Sequence, residues 1–515
     1  MSLARSFLTL GSGTALSRLL GFARDIMIAA SLGSGPVADA FTVAFRLPNL
    51  FRRLLSEGAF NTAFVPIYAR IKAQGGDKAA NNFASETFVG LFLFTLVLMV
   101  AAEIFMRPLV YLFAPGFFID AEKVALTIIL SRIAFPFLGF ALLSALFAAL
   151  LNAAEHYFIA AFAPVVLNLV LIAALALTFV YGLTGTSEAA IWLCIGVSLA
   201  GFVQTLWCLS GVWGQGSLKF RHPRFSQDMR RLLMMVLPGM LAGGITQINA
   251  FIGSLVGSHA PGVVAYLYYA DRVYQLPLGI VSVALGLALL PLISRLLAAG
   301  DEKGALQAQN NALEFTLFLT LPAAVALNVA ARPIVEVLFE RGAFGHDATL
   351  ATASALSYFA LGLPAFTLAK ALQPAFFAAH QMRAPMIIAL VGAGLDLAIS
   401  VSTFSTLAQD GIALGAALAG WFNAIALALL LWRSDRWNID AAMFARLARM
   451  MLATIAMAAF LAFSSQILAP YWLAAQPLEV KLAALAFITL GGLALYIGLC
   501  LGLKCVNWRA WRAAA

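Results

Sequence analysis

The chain has 515 residues, 63% of them hydrophobic and only 11% charged, with a mean hydropathy of +0.94. Soluble globular chains carry about 25% charged residues, so a water-soluble protein is excluded and a membrane protein is expected. The formal net charge of +9 arises from bases in short loops and within apolar stretches, a pattern of membrane topology rather than of nucleic-acid binding.

Apolar stretches of about 20 residues, enough to cross roughly 30 Å of hydrocarbon, recur along the whole chain. The approximate spans are 6–31, 37–69, 83–106, 124–151, 157–181, 188–213, 230–257, 263–294, 306–330, 348–379, 385–405, 411–432, 447–468 and 482–503, fourteen in all. The first has no small-residue cleavage site and leads directly into the second, so a retained helix is expected rather than a signal peptide. The region 331–347 (ARPIVEVLFERGAFGHD) is too short and too charged to cross, and is expected to be an interfacial helix and turn on the outer face. Cys194, Cys208, Cys500 and Cys505 form no CxxC, so buried apolar thiols are expected, with no metal and no disulfide framework.

Loop charge orients the chain. Alternate connections, counted from the N-terminus, hold nineteen Lys and Arg, whereas the opposite set holds five: Arg107, Lys123, Arg332, Arg341 and Lys481. That bias places both termini in the cytoplasm and favours an even number of crossings. Eight bases remain inside spans: Arg18, Arg24, Arg46, Arg52, Arg53, Arg132, Arg272 and Lys370.

The chain also repeats itself. RLPNLFRRLLSEGAFNTAFVPIYARIKAQGGDKAA (46–80) is similar to QLPLGIVSVALGLALLPLISRLLAAGDEKGA (275–305): each has Leu-Pro, a long apolar run, a second Pro, a basic exit and a Gly-Asp-(Glu)-Lys-x-Ala turn. Six spans separate the copies, so the halves share one orientation. Parallel repeats about an axis along the membrane normal are a transporter architecture, with the substrate site between the halves. The expected fold is therefore an all-α integral membrane protein with a lobe at 1–218, a lobe at 219–440, and two further helices at 441–515 outside the repeat.

The intramembrane charges locate the candidate site. One charge near the bilayer centre costs roughly 3 kcal/mol or more, so five arginines in the first two spans are expected to line a water-filled cavity that receives an anion. In the first span Gly13, Ser17 and Gly21 share one face that ends at Arg24. This is either a close-packing face or a ligand-facing one, and the arginine favours the second. Arg18 and Asp25 lie on one side about 10 Å apart along the axis, while Arg24 and Asp25, as neighbours, are expected to point apart. In the second span Asp39, Arg46 and Arg53 recur at sevens, Arg53 can pair with Glu57, and Pro48 is expected to kink the helix. Arg52 has no acid three or four residues away and is suited to fork a phosphate. For any single arginine, a partner on another helix or snorkelling stays open.

Further along, Asp271 and Arg272 are candidates for ligand binding or gating, and Lys370 for pairing with an acid or a ligand. Asp396 is a lone carboxylate that could couple to a cation; Arg132, Glu103 and Glu314 are left undecided between structure and function. His156, His222, His259, His346 and His380 all lie at connections, and no hydrolase or transferase constellation is present.

SRLLGFARD (17–25), ADAF (38–41), RLPNLFRRLLSEGAFNTAFVP (46–66), Asp271-Arg272 before a Pro, RGAF (341–344) and Lys370-x-x-x-Pro374 together resemble the MurJ (MviN) lipid II flippases. These belong to the multidrug/oligosaccharidyl-lipid/polysaccharide exporter superfamily, and the resemblance runs the length of the chain. It implies 14 transmembrane helices, in two six-helix lobes related by a pseudo-two-fold along the membrane normal around a central cavity. Helices 13 and 14 would then form a groove for the polyprenyl tail. It implies a transporter, not an enzyme, moving undecaprenyl-pyrophosphate-disaccharide-pentapeptide (lipid II) from the cytoplasmic to the periplasmic leaflet by alternating access. Arg18, Arg24, Arg52 and Arg272 would bind the pyrophosphate, with Asp25, Asp39, Ser17 and Arg53 in the same substrate set. Asp271, Glu57, Lys370 and Asp396 are the gating or coupling candidates.

The implied setting is the bacterial inner membrane, with lipid II and membrane lipids as partners and contacts with cell-wall synthesis proteins as a further expectation. Neither cofactor nor metal is implied, and coupling to an ion or to the membrane potential is left open. Two departures matter. An acid found in some members three residues after the span-8 Arg is Gln275 here, and Gly392 precedes Asp396 where a sodium-binding pattern would need Asn. The rival readings are an exporter of another lipid-linked oligosaccharide or of drugs, a membrane enzyme acting on polyprenyl pyrophosphate, and a non-transporting scaffold. Cationic drugs would favour carboxylates over arginines, and an enzyme would need clustered acids or histidines.

Overall fold

The computed structural model describes residues 3–213, 226–245, 247–379, 381–434, 437–438, 440–472 and 476–506. Side chains are described for these except 3–10, 56–59, 61–62, 237–245, 283–284 and 286–288. Among the described residues every regular element is helical, as apolar segments in lipid require, because a helix satisfies its backbone polar groups internally. The chain forms two compact units, one of Met1–Ala265 with Arg341–Phe344, the other of Tyr266–Glu340 with Gly345–Ala515.

The first unit holds α1 (Leu3–Leu32), α2 (Pro36–Arg52), α3 (Asn61–Ile104), α4 (Met106–Phe113), α5 (Ala121–Ala134), α6 (Pro136–Ala153), α7 (Tyr157–Val180), α8 (Ser187–Trp213), α9 (Gln227–Ile245) and α10 (Ile248–Gly257). Helix α1 packs on α7, α6 and α7 on α8, and α2 on α5. Proline at the first helical position starts α2 and α6, where its missing N–H costs nothing. Asp120 opens α5 by accepting from the amides of Glu122 and Lys123. Helix α2 runs through Pro48, and its winding changes five residues later, to a wide π-helical turn over Arg53–Phe60. Beyond it, Asn61–Ile104 is not one rod. Gly76 has φ 70° and ψ −176°, values no helix adopts, so two helices meet there. This break is the connection expected at Gly75-Gly76-Asp77-Lys78.

In the second unit α11 (Val263–Ala298), which begins at the edge of the first, is followed by α12 (Glu302–Val329), α13 (Ala331–Phe339), α14 (His346–Ala378), α15 (Arg383–Leu407), α16 (Gln409–Arg433), α17 (Ala441–Ile467) and α18 (Leu478–Gly502). Helices α14 and α15 pack on α16, α12 on α14 and α17, and α17 on α18. One buried core joins α11, α14 and α16 through Leu289, Ile293, Leu372, Phe376 and Leu427.

Among the described residues ten helical segments are long and apolar enough to cross a membrane. The other expected spans, 6–31, 37–69, 230–257 and 263–294, also fall on helix over their described residues, apart from a turn at Gln247, but α2 and α10 alone are only 17 and 10 residues long. Region 331–347 does begin with a short helix. This helix, α13, is buried along most of its length and packs on α14 and α18.

A second internal repeat emerges at this level. Arg107-Pro108-Leu109-Val110 opens α4, and Arg332-Pro333-Ile334-Val335 opens α13. Both helices are short (8 and 9 residues), and the residues just before them have nearly identical dihedrals, Phe105 at φ −98°, ψ 19° and Ala330 at φ −101°, ψ 21°. The interval between these copies matches that between Pro48 and Pro277 to within about one helical turn.

Candidate functional site

Helix α1 carries the first cluster. Arg24 and Asp25 are both buried and do not point apart: Arg24 Nε and Nη2 donate to Asp25 Oδ1 at 3.0 and 2.7 Å. Long side chains let neighbours on a helix meet even though their Cβ atoms diverge. Arg24 Nη1 also donates to Asn168 Oδ1 of α7 at 2.9 Å, and Asn168 Nδ2 donates to the Ser17 carbonyl and hydroxyl at 3.0 and 3.3 Å. The structure thus gathers Ser17, Arg24 and Asp25 around Asn168, a residue that sequence reasoning missed. Its signal was an isolated amide in an otherwise apolar span.

The small face of α1 is a packing face. A Cβ on Gly13 would sit 2.8 Å from the Ala161 carbonyl oxygen, and Gly21 faces the Asn168 side chain. Of the two readings of Gly13-Ser17-Gly21, close packing against α7 is what the structure displays. Arg18, one residue round, is exposed.

The second cluster is the stripe at sevens on α2 and the start of the π turn after it, which lies against the chain from Gln247, just before α10, to the first turn of α11. Arg53 Nη1 donates to Gln247 Oε1 at 3.1 Å, Arg46 Nη1 donates to the Ala250 carbonyl at 2.9 Å and also to Ser254 Oγ, and Asp39 meets Gly262 and Ala265. Successive turns of α2 therefore meet successive turns of the opposing segment. Asp39 is completely buried and pairs with Lys123 Nζ at 2.7 Å. Lys123, taken from the sequence as an outer-loop base, is thus a buried partner on α5. Half-buried Arg52 donates from Nε to Asn49 Oδ1 at 3.2 Å, while Asn49 Nδ2 is tied to the Phe45 carbonyl at 2.9 Å. The Glu57 side chain, and with it the expected Arg53–Glu57 pair, lies outside the described residues, as do Lys219, Arg221, Arg224, Arg436, Arg509 and Arg512.

In the second unit, Arg272 lies over the Tyr268 ring at 4.7 Å, one turn earlier on the same helix, an attraction between a cation and a π face. Gln275 donates to Asp271. The residue that departs from the family's acid thus serves as a neutral partner for the carboxylate one turn away. Lys370 Nζ donates to Ser282 Oγ at 2.8 Å, and buried Asp396 accepts from Ser400 Oγ at 3.2 Å. Arg132 pairs with Glu103 at 3.5 Å. Glu314 and Glu336, both buried, are gripped by Arg446 of α17 and Lys481 of α18 at 2.5 and 2.7 Å. The loop-charge count takes both as loop bases, Arg446 among the nineteen and Lys481 among the five. All four cysteines are buried free thiols.

Arg24, Arg46, Arg52 and Arg53 are thus each held by carboxylate, amide or carbonyl oxygens. The family model described as "Lipid II flippase MurJ" matches residues 28–482. The chain belongs to the MurJ family. Among its relatives, the "Probable lipid II flippase MurJ" of Rhizobium meliloti (strain 1021) is 43% identical over 509 residues, covering 98% of this chain and 94% of the relative. That of Rhizobium tropici is 42% identical over 498 residues, covering 96% and 93%.

The solved structure "Lipid II flippase MurJ, inward closed conformation" superposes with a TM-score of 0.77 at 24% identity, covering 96% of this chain and 99% of its own. An inward-facing multidrug resistance MATE transporter of the MOP superfamily superposes at 0.68 and 14% identity, covering 82% and 94%. These likenesses show the fold. The family expectation from the sequence therefore holds, and the MurJ family is one of transporters rather than enzymes.

Proposed function

We propose that this protein flips lipid II, undecaprenyl-pyrophosphate-linked disaccharide-pentapeptide, from the cytoplasmic to the periplasmic leaflet of the bacterial inner membrane. The observation that carries this is the family match over residues 28–482. The chemistry of the first unit supports it: Arg18, Arg24 and Arg52 lie on α1 and α2, and guanidinium groups fork phosphate oxygens in pairs. In this reading Arg18, Arg24, Arg52 and Arg272 bind the pyrophosphate, with Ser17, Asp25 and Arg53 beside them. Asp39, buried and saturated, supports from behind. Asp271, Glu57, Lys370 and Asp396 act in gating or coupling, to an ion or to the membrane potential, without cofactor or metal.

The architecture that goes with it is fourteen crossings in two repeats, 1–218 and 219–440, about a pseudo-two-fold along the membrane normal, working by alternating access. The α4 and α13 repeat supports it. A helix can belong to one repeat by sequence and pack on another unit, so the compact units need not end where the repeats do. Helices α17 and α18 form the groove for the polyprenyl tail. Both termini are cytoplasmic. With Lys123 and Lys481 committed to buried acids, only Arg107, Arg332 and Arg341 remain as outer-side bases. Contacts with cell-wall synthesis proteins complete the proposal.

The test is to deplete the protein in a cell with no redundant flippase and assay lipid II by leaflet. Arrest of lipid II in the inner leaflet is expected; undiminished arrival at the outer leaflet would sink the reading.

A further inference from the structure

Three donors converge on the wholly buried Asp39 carboxylate. Lys123 Nζ and the Gly262 amide donate to Oδ2 at 2.7 and 2.8 Å, and the Ala265 amide donates to Oδ1 at 3.0 Å. Gly262 and Ala265 bracket the start of α11 at Val263, where the first backbone amides have no partner inside their own helix. Asp39 thus does from α2 what a capping residue does locally, and it sets a negative charge at the positive end of the helix dipole.

A carboxyl group so deeply buried is costly in its ionised form unless a cation lies close by. Lys123 is 7% exposed and comes from the first turn of α5, where its own amide is fixed on Asp120 Oδ1 at 3.1 Å and its ammonium lies 3.9 Å from the Phe117 ring centroid. An independent contact fastens the same place: the Gly116 amide donates to Ser258 Oγ at 3.0 Å, and a Cβ on Gly116 would run into the Ser258 backbone. The segment preceding α5 and the turn preceding α11 are therefore held together at two points.

We propose that Lys123 is a positioning residue. By neutralising Asp39 it lets that carboxylate cap α11, and so fixes where the helix that bears Asp271 and Arg272 begins. Its consequence for transport rests on the lipid II reading; the capping itself does not.

The experiment compares the full-length native protein in detergent with K123M, D39N/K123M and D39A/K123M. Amide exchange is followed over residues 258–266, and lipid II movement is followed after reconstitution. K123M leaves a buried unpaired acid, and exchange at Gly262 and Ala265 should accelerate about tenfold or more, with transport lost. Both double variants restore neutrality, but only Asn can still accept the amides. D39N/K123M should therefore return exchange to within about threefold of native and recover part of the transport, while D39A/K123M stays fast. Native exchange in K123M, or equal behaviour of the two double variants, would overturn the proposal. If the native protein moved no lipid II while the exchange pattern held, the functional reading would fail and the cap would stand.

Discussion

Arg446 of α17 grips Glu314 of α12 with a fork, Nε at 3.0 and 3.1 Å from the two carboxylate oxygens and Nη2 at 2.5 Å from Oε1. Lys481 of α18 does the same to Glu336 of α13 with a single bond of 2.7 Å. The two C-terminal helices are thus fastened to α12 and α13 by buried ion pairs, supplemented by Tyr496 donating to the Phe318 carbonyl at 3.1 Å. Removing one partner of a buried pair leaves a stranded charge, which costs about 3–5 kcal/mol, whereas removing both can be nearly neutral. Arg446→Met should therefore lower the unfolding free energy in detergent by about that amount, and Glu314→Gln/Arg446→Met should recover more than half of it. Equal losses in the single and double variants would show that the pair is not the fastening.

Arg24 is anchored twice, by Asp25 and by Asn168, and those contacts fix the plane of its guanidinium. A lysine has the charge but not the fork, and cannot hold two acceptors in one plane. Arg24→Lys is therefore expected to fail in complementation of a depleted strain despite normal membrane levels. Asn168→Ala leaves the Asp25 bonds intact and should reduce flipping only partially, by about tenfold or less. Wild-type growth on Arg24→Lys alone would remove the fork from the mechanism.

Much of this was legible in the sequence because a membrane imposes few solutions. Hydropathy gave the spans, and the turn at Gly75-Gly76 and the concentration of charge in α1 and α2 were visible in the residues themselves. Partners were not. Asp39 finds Lys123, Glu314 finds Arg446 and Glu336 finds Lys481 across 84, 132 and 145 residues, and no periodicity reports a contact made at such range. The bases of these pairs sit near helix ends, where loop-charge counting claims them first. Arg24 and Asp25 failed for the opposite reason: a rule built on Cβ direction ignores the reach of a guanidinium that can fold back. The Arg-Pro helices α4 and α13 were missed because each is too short to register as a span.

The face Gly13-Ser17-Gly21 separates two roles by a measurement on stability alone. A methyl on Gly13 would press against the Ala161 carbonyl at 2.8 Å, tighter than side chains tolerate, whereas on Gly21 its nearest neighbour is Asn168 Nδ2 at 3.6 Å, an ordinary contact. Gly13→Ala should force α1 away from α7 and cost about 1–3 kcal/mol in detergent unfolding, while Gly21→Ala should be nearly silent. If Gly21→Ala abolished flipping without loss of stability, this face would serve the substrate as well as α7.

Gly76 provides the last test, and it concerns how the chain turns rather than what it binds. Its φ of 70° with ψ of −176° lies in a region populated almost entirely by glycine, where any other residue carries strain of order 1–3 kcal/mol. The space around it is open, with nothing within 4 Å of a built Cβ. A substitution there therefore reports backbone strain without a steric clash. Gly76→Ala should lower the thermal midpoint in detergent by an amount corresponding to about 1–3 kcal/mol, and d-alanine introduced at the same site by semisynthesis, which favours positive φ, should restore most of the loss. Equal destabilisation by both enantiomers would mean that the turn is not governed by the handedness of that one residue.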